Sequence, residues 1–176
     1  MAGQEVSFDP SELIVSKTDL QGKIAYVNRT FMKVANFNEA QLLGFDHNII
    51  RHAEMPKGVF YGLWKTLKSG EEFFGFIKNR TAENNYYWVF ANITPDKVDG
   101  ETVGYYSVRR YAPPQALNII IPLYQQALDI EAQTPKAQAG EKSWHWIQSQ
   151  LEQQYQLSYE PCVIHLYQQF SRGDVA

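Results

Sequence analysis

The stretch EEFFGFIKNRTAENNYYWVFANITPDKVDGETVGYYSVRRY, residues 71–111, decides the fold. It divides into three strand-like runs, 71–81, 86–96 and 101–111. Only ENN (83–85) and VDG (98–100) mark the turns between them, and connections this short leave no room for a crossover. The three strands are therefore antiparallel neighbours. Phe73, Phe74, Phe76, Tyr86, Tyr87, Trp88, Phe90, Tyr105 and Tyr106 crowd them. Aromatic side chains suit a pleated, half-buried surface, so core packing accounts for most of these. The pair Arg109–Arg110 closes the third strand and reads as solvated strand-end charge.

Upstream, ELIVSKTD (12–19), LQG (20–22) and KIAYVN (23–28) read as strand, turn and strand, a hairpin. Asn28 suits a cap for a helix over RTFMKVANF (29–37). In EAQLLGF, Leu42 and Leu43 face inward on a short helix that Gly44 terminates. Pro56 suits a first helical position, and KGVFYGLWKTLKSG (57–70) places Val59, Leu63 and Leu67 on one face with Phe60 and Trp64 beside them. Two strands, several short helices and three strands make an α+β unit: a five-stranded antiparallel sheet with short helices on one face. A ligand cavity fits between those helices and the sheet.

Downstream, APPQ (112–115) breaks the last strand, and a Gln-rich helical extension follows. LNIIIPLYQQALDIE (117–131) contains Pro122, which either kinks the helix or starts it. QTPKAQAG (133–140) reads as a loop, EKSWHWIQSQLEQQYQL (141–157) as a helix capped by Ser143, and a last short helix runs from Pro161 through Phe170. The expected organisation is a flexible lead over 1–10, one domain over 11–112 and the extension over 113–176. Ile119–Ile121, Leu123, Trp144, Trp146 and Ile147 are too apolar to stay exposed.

Bulk properties narrow the function. At 176 residues and 44% hydrophobic, the chain builds a real core. A net charge of −3 without a Lys/Arg run argues against a nucleic-acid partner. No run approaches the roughly 20 apolar residues of a membrane span, and the first residues lack a secretory signal. Cys162 is the single cysteine, flanked by apolar neighbours; it reads as a structural thiol in a reducing, cytoplasmic setting. No nucleophile elbow, phosphate loop or dinucleotide fingerprint occurs, so an enzyme is not expected. HNIIRHAEMP (47–56) carries two histidines, but their spacing of five puts the rings on different faces, which does not suit a metal.

GKIAYVNRTF, LLGFDHNIIRHAEMP, LWKTLKSGE, KNRTAENNYYWVFANITP and VGYYSVR, in this order, resemble a PAS sensor domain. More narrowly they resemble the N-terminal PAS domain of bacterial aerotaxis receptors, over about residues 13–111. The resemblance implies non-covalent FAD whose redox state reports on respiration and oxygen, relayed through the C-terminal helices to a downstream signalling protein or a homodimer. It implicates Asn28, His47, Arg51, His52, Glu54, Trp64, Asn79 and Trp88 in cofactor binding. Arg51 suits a diphosphate, Trp64 and Trp88 a planar ring, and Asn79 the flavin pyrimidine edge. Ala53–Glu54 stands where that family has Pro-Asp, and the extension lacks the family's membrane anchor, so a transmembrane receptor is not expected. Ile49 occupies the position at which flavin photoreceptors carry their adduct-forming cysteine, so no photoadduct is expected. The alternatives are a flavin-free dimerisation or docking module, and a domain binding haem through His47 or His52 or holding another small ligand.

Overall fold

The computed structural model describes residues 3–171. Strands β1 (Ile14–Asp19) and β2 (Ile24–Val27) form the hairpin; α1 (Arg29–Ala35), two single 3₁₀ turns (Glu39–Gln41 and His47–Ile50) and α2 (Lys57–Lys68) follow. Then come β3 (Phe73–Arg80), β4 (Tyr86–Val98) and β5 (Glu101–Tyr111), and the extension folds as α3 (Pro114–Ala132), α4 (Lys136–Tyr155) and α5 (Tyr159–Ser171). The sheet order is β2-β1-β5-β4-β3, every pair antiparallel. The chain's first strand thus lies beside its last, and β5 sits at the centre.

Local chemistry sets the turns. Asp19 Oδ1 accepts from the N–H groups of Gln21 and Lys23, which tightens the first hairpin. Asp99 and Gly100 both have positive φ, 52° and 85°, the geometry a two-residue hairpin turn requires. Asn28 caps α1: its Oδ1 accepts from Phe31 N at 3.0 Å and from Val15 N at 3.1 Å, and its Nδ2 donates to Leu13 O at 2.8 Å.

Alternation divides the sheet into two faces. Ser16, Thr18, Ile77, Asn79, Ala91, Ile93, Tyr105, Ser107 and Arg109 look toward α2 and the 3₁₀ turns. Phe76, Trp88 and Phe90 look the other way and are covered by the extension, where Tyr167 of α5 stacks on Phe90 at 4.3 Å and Tyr124 of α3 lies 6.2 Å from Trp88. Tyr124 also donates its hydroxyl to Phe76 O at 2.9 Å, satisfying a carbonyl on the free edge of β3.

The extension reaches around that edge to α2. Gly58 and Gly62 form a flat strip on which Ser143 and Trp144 of α4 lie; a Cβ at Gly62 would sit 2.5 Å from the Trp144 ring. Glu131 Oε1 accepts from Gly58 N at 2.9 Å and from Ser143 Oγ at 2.6 Å. The carboxylate thereby caps the α2 N-terminus, where Pro56 offers no side-chain cap. The apolar tail residues Ile120, Leu123, Trp144 and Ile147 are buried by this arrangement and Ile119 and Trp146 are half-buried, but Ile121, expected to be covered with them, is 45% exposed on the outer face of α3.

Several local expectations are corrected. Gln4 and Val6 exchange backbone hydrogen bonds with Tyr86, and Phe8 is buried edge-on to Tyr111, so these lead residues are tied to the domain. Leu42 is fully buried but Leu43 is exposed, because the turn is too short to give both an inward position. The fourth helix starts at Lys136, which leaves Ser143 in its interior as a buried hydrogen-bonding residue rather than a cap. Pro122 lies within α3; it and Asn118, whose carbonyl loses its helical partner, both face solvent, so water can satisfy that carbonyl.

Candidate functional site

Between the sheet and the helical side lies a cavity of about 390 Å³, in the range of small-molecule sites. Phe60, Leu63, Trp64 and Leu67 of α2 form one wall and Ile77, Ala91 and Ile93 of the sheet the other. The α2 spacing follows from the helical period: the residues that face the cavity leave Gly58 and Gly62 to face the tail.

The HNIIRHAEMP segment closes the cavity and is pinned to both ends of the sheet. His47 N donates to Gly22 O at 2.9 Å, beside the first hairpin. Arg51 forms a bridge with Asn79 on the free edge of β3, His52 N donates to Lys78 O at 3.3 Å, and Arg80 Nε donates to Ile49 O at 2.8 Å. A polar loop is thus fixed over an apolar chamber by backbone bonds.

Of the eight residues expected from the sequence, four line the cavity: His47, Arg51, Trp64 and Asn79. The Arg51 guanidinium lies 3.8 Å over the Phe60 ring and donates to Met55 O at 3.4 Å. Burial lowers its pKa from the usual arginine value, with Glu131 pulling it back up. Trp64 stands edge-on to Tyr105 at 5.6 Å and remains partly exposed at the mouth. Asn79 is buried, and its Nδ2 has no hydrogen-bond partner.

The other four stand elsewhere. Asn28 spends its side chain on capping α1 and does not line the cavity. Trp88 corrects the expectation of a second ring on the ligand: the alternation of β4 turns it to the opposite face, against Tyr124. His52 and Glu54 belong to the outer side of the loop. Glu54 pairs with Lys78 Nζ at 2.5 Å, and that bond holds its carboxyl below the usual range. His52 lies edge-on to Tyr86 at 5.8 Å, its pKa lowered first by burial and then by Lys78.

The main residue missed in the sequence is Arg109. Far from being a solvated strand-end charge, it is 2% exposed at the closed end of the cavity. Its Nη2 donates to Ser16 Oγ and to His47 Nε2, each at 2.5 Å, while its Nη1 has no partner. Burial lowers its pKa to about 10, so it stays charged near neutrality. Burial, then Arg109, drives His47 well below the ordinary histidine value, leaving a neutral ring that accepts from Arg109. The signal was present in the period of two, which puts Arg109 on the same face as Tyr105 and Ser107 and Arg110 on the other. What strand period does not show is that this face closes.

Three buried polar atoms without partners, Asn79 Nδ2, Ser107 Oγ and Arg109 Nη1, thus belong to residues lining one cavity. Buried polar groups are ordinarily satisfied, so these atoms mark separate polar positions along the sheet wall of an apolar chamber, with Asn79 opposite Tyr87 and Ser107 opposite Ile93 on β4.

Residues 24–109 match the PAS fold family, and this part of the chain is a PAS domain. Among solved structures, a light-oxygen-voltage domain studied with a flavin analogue superposes with a TM-score of 0.56 at 16% identity, covering 65% of this chain and 86% of that one. The aerotaxis receptor of Escherichia coli (strain K12) is 40% identical over 112 residues, 64% of this chain and 22% of the receptor. The nitrogen fixation regulatory protein of Klebsiella pneumoniae is 25% identical over 103 residues, 58% of this chain and 21% of that protein. The chain therefore spans about a fifth of the length of the curated relatives it matches.

Proposed function

We propose that this PAS domain binds FAD non-covalently and acts as a cytoplasmic redox or oxygen sensor, without catalytic turnover of its own. The single observation that carries this reading is the cavity with its three partnerless polar atoms set among apolar walls. An isoalloxazine ring is a flat apolar body with one polar pyrimidine edge, and apolar walls with Asn79 at one end suit that division. Identity with a receptor named for aerotaxis supports the same reading.

In this assignment Asn79 offers donor and acceptor to the pyrimidine edge. Phe60 and Trp64 flank the ring, and Arg51, held over Phe60 near the mouth, receives the diphosphate as the dinucleotide leaves the cavity. Bound flavin supplies an electron-accepting group whose charge and hydrogen bonding change on reduction. Haem suits the site less well, since His47 Nε2 is held by Arg109 and Ser16 and His52 lies outside the lining.

The extension is placed to carry a signal. Helix α2 touches the ligand space on one side and α4 on the other, through Gly58, Gly62 and Trp144. A ligand that shifts α2 by differential contacts in its two redox states alters that packing, and thereby a downstream protein or a homodimer contact. The purified protein is expected to be yellow, to release FAD on denaturation, and to lose flavin content on Arg51→Ala and on Asn79→Ala. Colourless protein that also takes up no added FAD refutes the proposal.

A further inference from the structure

We infer that Arg109, Ser16 and His47 form a preformed oxyanion subsite at the closed end of the cavity, and that Arg109 sets which charge state of the ligand binds best. The inference rests on the flavin reading only for the identity of the group that fills it. Three observations carry it. The guanidinium is 2% exposed, yet no carboxylate pairs with it among the described residues. Among the described residues the only acid lining the cavity, Asp46, is exposed to solvent. One nitrogen of the guanidinium is held in place while the other is buried without a hydrogen-bond partner: Nη2 is engaged by Ser16 Oγ and His47 Nε2, and Nη1 has none.

A buried, uncompensated charge is costly, and structures retain one chiefly where something pairs with it. Ser16, His47 and the buried Tyr87 hydroxyl, which also lies in the field of Arg109 and is pushed up to about 12 by burial, are all neutral at pH 7. Ser16 and His47 fix the position of the fork without cancelling its charge, and the Phe31 ring 5.0 Å from the guanidinium carbon limits its movement. The missing partner is therefore an oxygen carrying negative charge, and the ligand must bring it. For a flavin, that is a ring carbonyl oxygen, which gains negative charge when two electrons and one proton enter the ring. Arg109 then binds the reduced ligand better than the oxidised one and raises the reduction potential.

The test uses the whole chain, in wild-type form and as Arg109→Gln, Arg109→Lys and Ser16→Ala, with two readouts. The first is the midpoint potential of bound FAD, titrated with dithionite as electron donor. Arg109→Gln is expected to reduce the preference for the reduced form about tenfold or more, a fall of at least about 30 mV for a two-electron couple. Arg109→Lys, which keeps the charge, falls by less, and Ser16→Ala by less than Arg109→Gln. The second readout is thermal stabilisation of flavin-free protein by sodium formate, with sodium chloride at equal ionic strength as control. Wild type is stabilised specifically by formate and Arg109→Gln is not. If FAD binds and Arg109→Gln leaves the potential unchanged, the subsite is overturned while the flavin reading stands. If FAD never binds but formate acts through Arg109, the flavin reading fails and the subsite stands. Should FAD fail to bind and formate act on wild type and variant alike, both fall.

Discussion

Glu131 is the residue at which the helical extension grips the cavity wall. Its Oε1 accepts the Gly58 amide at 2.9 Å and the Ser143 hydroxyl at 2.6 Å, and no side chain of α2 caps that helix in its place. Replacing Glu131 by alanine removes three effects together: an N-terminal cap worth about 1 kcal/mol, a charge-dipole contribution of about 0.3–1 kcal/mol, and a charge-assisted bond to a fully buried hydroxyl worth about 1.5 kcal/mol or more. These overlap, and Ser143 keeps a 3.3 Å bond to Gly140 O, so the sum is held to about 2–3 kcal/mol. For a chain of this length the melting temperature should fall by roughly 5–10 °C. Glu131→Gln keeps both acceptor bonds and loses the charge, so it should cost about 1 kcal/mol. Urea unfolding followed by circular dichroism measures both, with a lower midpoint and an unchanged slope for a two-state loss. A double-mutant cycle with Ser143→Ala should return a coupling of about 1 kcal/mol or more. If Glu131→Ala costs under about 0.5 kcal/mol, or if the cycle is additive, the latch between extension and α2 is wrong.

Three further outcomes follow from single contacts. Gly62→Ala gains about 1 kcal/mol of helix propensity but forces a Cβ to 2.5 Å from the buried Trp144 ring, so net destabilisation of about 1–2 kcal/mol is expected in the same urea assay. Lys78 lowers the Glu54 pKa, so that carboxylate's stabilisation is complete above its unfolded pKa and lost as pH falls through the lower folded value; stability at pH 3 and pH 7 should differ less in Glu54→Gln, by a few tenths of a kcal/mol up to about 1 because the Glu54 carboxylate is largely exposed although Lys78 is buried. Cys162 is buried and its thiol is pushed up to about 11 by that burial, so a disulfide reagent at pH 8 should label it only as fast as the protein opens, and fully once denatured.

Much of the fold was legible because it is local. The three strands of 71–111, their two turns, the first hairpin, the Asn28 cap and the amphipathic α2 each follow from period, turn chemistry or capping within a few residues. Half of the site residues that the family resemblance implied, His47, Arg51, Trp64 and Asn79, line the cavity; periodicity alone did not single them out. Asn28 shows where this stops. A good cap and a good ligand contact use the same amide, and local geometry had already claimed it.

By itself the sequence determined the order of strands and helices, the antiparallel pairing of neighbours, and the polar loop at HNIIRHAEMP. Only the tertiary structure decided what lies between the layers. It placed β1 beside β5, and so brought Ser16 and His47 to Arg109, residues that are 93 and 62 positions from it in the chain. It turned Trp88 from the cavity toward Tyr124, and it laid Trp144 on two glycines of α2. The reason is physical: periodicity fixes which residues share a face, but burial, charge compensation and close approach depend on what packs against that face, and this comes from chain far away in sequence.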